Sequence, residues 1–177
     1  MTAIDQGALV TEVVSGLDET EREKALPLAR ELVADWAREA DPMPDPSAVV
    51  RFQRESLEAT VSECGGDGLR GLELELVRRR ADRLNAAALE LGLEVIDRDV
   101  GEDDARRRGR TLLDQSEQVA SALGDLGSNA ATDAVRRSLE EATLDALYAV
   151  ERKAMSPRLA RARPDAGTAA DAPPDVF

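Results

Sequence analysis

The chain is predicted to fold as an all-α protein, an antiparallel bundle of about six helices with a flexible carboxyl-terminal tail. Three observations lead there. Apolar residues recur at intervals of three and four along most of the sequence. The clearest case is LELELVRRRADRLNAAALELGLEV, where Leu74, Val77, Ala81, Leu84, Ala88, Leu91 and Val95 form a seam. Aromatic residues make up 2% of the chain and β-branched strand formers are scarce, so the core must be assembled from Leu, Val and Ala. The periodic segments are separated by clusters of Pro and Gly, which interrupt helices and leave short connections suited to antiparallel neighbours.

A first amphipathic segment covers roughly residues 3 to 15 and ends at Gly16. DETEREKALPLARELVADWAREA follows, with Thr20 and Glu23 in capping-box spacing and Ala25, Leu28, Leu32, Trp36 and Ala40 on one face. Pro27 stands close to the start of this helix, where proline costs least, or else moves the start later. DPMPDPS interrupts it. Asp45 can cap the next helix with Pro46 in its first position, and that helix, about 46 to 63, carries Val50, Leu57, Val61 and Cys64 on one side before CGGDG ends it.

The seam belongs to the fourth helix, about 68 to 93. Leu69, Leu72 and Leu76 add a second apolar line to its first turns, so that end needs neighbours on more than one side. A fifth helix, about 102 to 125, has Leu112, Ser116, Val119, Leu123 and Leu126 on its inner stripe. A sixth, about 129 to 154, has Val135, Leu139, Ala142, Ala146 and Ala149 in register, with Leu144, Leu147 and Val150 alongside. The bundle domain therefore spans residues 1–155. Residues 156–177, rich in Pro, Ala and Asp, read as the tail.

Composition excludes more chemistry than it suggests. The chain has no histidine, which removes Ser-His-Asp and Cys-His catalysis, the Glu-x-x-His di-iron site and every zinc site containing histidine. Cys64 is the lone cysteine, so no internal disulfide or thiolate cage can form, and its place at the end of an apolar stripe reads as structural. The acidic run DRDVGEDD opens with the spacing of a calcium loop, at Asp97 and Asp99. Its glycine then falls one position early, at Gly101, and the twelfth position is Arg108. Acids at a helix start, favoured by its dipole, are the better reading, and neither metal nor cofactor is expected.

The net charge is −13, from 36 acidic and 23 basic residues, which opposes general binding to nucleic acid or anionic lipid. No segment approaches the roughly 18 apolar residues of a membrane span, and the amino terminus lacks a basic leader pattern, so the expected location is the cytoplasm. The expected function is that of a protein-protein interaction module, as adaptor, assembly subunit or regulator, working through apolar helix faces on a protein partner or a second copy of itself. Two sets of residues are candidates for this contact: the seam residues Leu74, Val77, Ala81, Leu84 and Leu91, and the basic island at the end of the last helix, with Arg158, Arg161 and Arg163 following Arg152 and Lys153. One alternative is a small helical enzyme or small-molecule binder with Arg79 and Arg83 directed into a bundle cavity. The ordinary role of these arginines would be surface ion pairs, and Glu75 has the favourable order for pairing with Arg79. A second alternative is a nucleic-acid-associated regulator using the basic arm, which the absence of interleaved aromatics disfavours.

Overall fold

The computed structural model describes residues 6–39, 45–64, 67–97 and 99–162, and all regular structure among them is α-helical. The helices are α1 (Gln6–Val14), α2 (Glu19–Glu39), α3 (Pro46–Glu63), α4 (Gly68–Asp97), α5 (Glu102–Asp125) and α6 (Ala130–Ala162). No helix among the described residues is long and apolar enough to cross a membrane.

Side-chain oxygens start several of these helices by accepting hydrogen bonds from otherwise unpaired backbone N–H groups. Asp45 Oδ1 accepts from Ser47 N at 2.9 Å with Pro46 in the first turn, as predicted. Asp67 Oδ1 accepts from Arg70 N at 3.0 Å at the head of α4. Asn129 Oδ1 accepts from Ala131 N and Thr132 N at 2.9 and 3.0 Å, and Thr132 Oγ1 in turn accepts from Asn129 N at 2.8 Å. At α2 the capping differs from the sequence reading. Asp18 Oδ1 accepts from Glu21 N at 2.8 Å, so the cap lies two residues ahead of Thr20, and Pro27 ends up inside the helix without delaying its start.

Two cores are built on opposite flanks of α4. Val10 and Val14 of α1, Leu32 and Trp36 of α2 and Leu57 of α3 close around Leu72 and Leu76. On the other flank, Leu74, Val77, Ala81, Leu84 and Ala88 meet Val119 and Leu123 of α5 and Val135, Leu139, Ala142 and Ala146 of α6. Leu91 and Val95 continue this second core with Val100, Ala105 and Ala149. The two leucine lines predicted for the first turns of α4 thus serve different neighbours.

Contacts at the two ends of α5 fix the helix directions. Arg70, near the start of α4, donates to the Leu126 carbonyl just past α5, and Glu94, near the end of α4, pairs with Arg108 near the start of α5. Gly109 of α5 lies against Val150 and Ala146 of α6. The helix α5 is therefore antiparallel to both α4 and α6, and α4 and α6 run parallel, side by side. Between α5 and α6 the chain reverses through Gly127, at φ +74°, a left-handed conformation that glycine adopts without strain.

The helix α6 ends at Ala162 rather than at the predicted 154, because RLARA continues as good helix-forming sequence beyond Pro157. Arg158 and Arg161 accordingly belong to α6. Arg163, and the Val176–Phe177 end of the expected tail, lie outside the described residues.

Candidate docking surface

The seam residues nominated for partner contact face inward. Leu74, Val77, Ala81, Leu84 and Leu91 are between 0% and 6% exposed, covered by α5 and α6 of the same chain. They hold the bundle together, with Val77 and Leu84 also bordering a cleft between α4 and α5. Cys64 is half-buried and packs against the same core.

The arginines nominated for a ligand cavity are committed to other contacts. Arg79 Nε donates to Glu75 Oε1 at 3.0 Å, and its guanidinium lies 5.2 Å from the centre of the Trp36 ring, whose edge meets Phe52. Arg83 and Arg38 both reach Asp35, a carboxylate only 6% exposed. An open cleft of about 490 Å³ between α4 and α5 is lined by Arg80, Arg83, Gln115 and Gln118, while Arg79 borders a different cleft beside Trp36 and Phe52. Arg79 and Arg83 therefore do not converge on one ligand. The acidic run is divided among neighbouring arginines, with Glu102 on Arg106 and Asp104 on Arg107, and no group of His, Cys, Asp or Glu that could hold a metal ion occurs among the described residues.

A further apolar line on α4, out of step with the seam and with the Leu69–Leu76 line, stays uncovered. Leu89, Leu93 and Ile96 follow the same four-then-three spacing and are 57%, 55% and 56% exposed. On α6, Tyr148 faces solvent next to them, whereas Leu144, also exposed, lines a separate cleft with Leu113 and Ala120 of α5. Between the two helices runs a groove of about 400 Å³ floored by Ala88, Gly92 and Ala149, walled by Leu89, Leu93, Ile96 and Tyr148, and rimmed by Asp145 and Arg152. A Cβ added at Gly92 would meet nothing within 4 Å, so the chain's own packing does not demand a glycine there.

These residues are legible in the sequence only in part. The Leu89, Leu93, Ile96 spacing is present, and Leu144 and Leu147 flank the inner stripe of α6. Their exposure depends on where α5 and the α1–α3 layer stop covering α4 and α6, which periodicity does not encode.

No family model, curated protein or solved structure matches the chain.

Proposed function

We propose that this protein is a helical docking module that binds other protein through the face shared by α4 and α6. The observation that carries this reading is the groove itself: large aliphatic and aromatic side chains stand on both sides of a floor of small residues. A helix apolar over a broad arc can pack internally on one flank and externally on the other, and α4 has the side chains for both. Exposed apolar side chains are ordinary when scattered, whereas a contiguous group lining a concave strip is the signature of a contact surface. Lost water contact at Leu89, Leu93, Ile96 and Tyr148 would supply the affinity, and the rim charges would set orientation.

The test is cross-linking in the native host with the wild-type chain and with Leu93→Glu. Gln118→Glu, an exposed change on α5, serves as control. Protein adducts should form with the wild type and the control and be lost with Leu93→Glu. Adducts that persist unchanged in Leu93→Glu would overturn the reading.

A further inference from the structure

Resting on that docking face, we infer that its occupant is a second copy of this chain, related by a two-fold axis that sets the two α6 helices antiparallel. A two-fold interface must be complementary to itself: each copy has to present both a feature and the feature's match. The α4/α6 face does so in shape and in charge.

The shape match lies in Tyr148 and the floor beside it. Tyr148 is 61% exposed, the most exposed of the large apolar side chains among the described residues. The groove it borders is floored by Ala88, Gly92 and Ala149. With the axis passing between residues 148 and 149 of α6, Tyr148 of each copy lies over Ala149 of the other and enters the other's groove. Leu93 and Ile96 close around it. Gly92 then has a reason to be glycine: inside a long helix it is less favourable than alanine, and among the described residues nothing lies near enough to require it.

The charge match lies in Asp145 and Arg152. They are seven residues apart, two turns of one helix, and both are exposed on the groove rim. Neither makes an ion pair among the described residues. The axis that sets Tyr148 over Ala149 also sets Asp145 of each copy opposite Arg152 of the other, so both rim charges are satisfied twice by one register. A partner of unrelated sequence would have to supply an acid, a base and a bulky side chain in the reverse order, which the chain itself already has. The parallel pair α4 and α6 and its two-fold mate then form four helices in contact, an arrangement that bundles use widely. The −13 charge on each copy opposes the association at long range, and salt near 0.15 M screens this beyond about 8 Å.

The experiment is molar mass by sedimentation equilibrium on the full chain at physiological salt, with helical content checked by circular dichroism. The wild type should form a dimer of the 19.1 kDa chain. Asp145→Arg sets arginine against arginine at both ends of the interface, and Arg152→Asp sets aspartate against aspartate. Each variant alone should self-associate at least tenfold more weakly. Mixed in equal amounts, they should form a heterodimer. At one end the introduced arginine of the first variant then faces the introduced aspartate of the second, and at the other end the first variant's native Arg152 faces the second's native Asp145. No change in the fold of a single chain would produce that rescue. A wild type that stays monomeric at high concentration, single variants that dimerise normally, or a mixture that fails to associate would each overturn the inference. The cross-linking comparison with Leu93→Glu separates the two levels. If adducts are lost there while the wild type is monomeric, the face docks a different protein; if they are unchanged, the docking reading falls as well.

Discussion

Gly71 and Gly92 occupy the interior of the same helix and should respond to alanine in opposite directions. A Cβ at Gly71 would collide with the Thr60 carbonyl oxygen of α3, a backbone atom that cannot rotate away. Gly71→Ala is therefore expected to destabilise the fold by about 1–3 kcal/mol. At Gly92 a Cβ has open space, so Gly92→Ala should stabilise by about 0.5–1 kcal/mol through helix propensity alone. Urea denaturation of both variants checks the pair, and two shifts of the same sign would contradict the packing described. If Tyr148 of a second copy rests on that floor, Gly92→Ala should also weaken self-association while raising stability. The sequence offers no means of telling these glycines apart, because the difference lies in the distance to another helix. The same holds for the arginines. Glu75 with Arg79 is readable as an i to i+4 pair, but the Trp36 ring beside Arg79 comes from α2, far away along the chain.

At the scale of the helices, breaks are readable to within a few residues because they depend on local chemistry. Three prolines in DPMPDPS, the glycines of CGGDG and the Asp45–Pro46 start each act on the backbone within a turn. α3 and α5 begin and end where the pattern places them. The α2 start departs from the pattern because Asp18 and Thr20 are both competent caps, and the choice depends on how Leu17 docks into the first core, where it is buried. Among the ion pairs between helices, the exposed Glu12 with Arg54 links α1 to α3, and the half-buried Glu94 with Arg108 links α4 to α5. Hydrogen bonding to the arginine, with its charge adding to the effect, holds each glutamate below its ordinary value of 4.5. A carboxylate whose pKa is lower folded than unfolded stabilises the fold fully above the unfolded value, and that contribution fades as the pH drops through the folded value. Glu94→Gln should therefore lower the urea midpoint at neutral pH and make little difference at pH about 3. Because the Glu94–Arg108 pair is still about a third open to solvent, the neutral-pH shift should be small and reduced further by salt. A larger deficit in acid than at neutral pH would refute the assignment.

For the whole molecule, the decisive feature is that α4 belongs to both cores. Leu72 and Leu76 face the α1–α3 layer, while Leu74 and Val77 face α5 and α6, so neither core can be lost without stripping one flank of the same helix. Unfolding should then be a single cooperative transition. Trp36 is the one tryptophan and sits in the first core, so its fluorescence reports that core alone, whereas far-ultraviolet circular dichroism reports all six helices. The two signals should give coincident urea transitions, and separated midpoints would show that the cores fold independently. Leu72→Ala in one core and Leu123→Ala in the other, both at fully buried positions, should each cost about 2–5 kcal/mol and shift both signals together. What the amino-acid sequence determined by itself was the helical class, the breaks and the inward face of each helix, because a 3.6-residue repeat and the backbone limits of proline and glycine act locally. Which apolar line stays uncovered was decided only by the tertiary structure. The seam from Leu74 to Val95 and the line from Leu89 to Ile96 have the same spacing on the same helix. Only the positions of α5 and α6 bury the first and leave the second facing water.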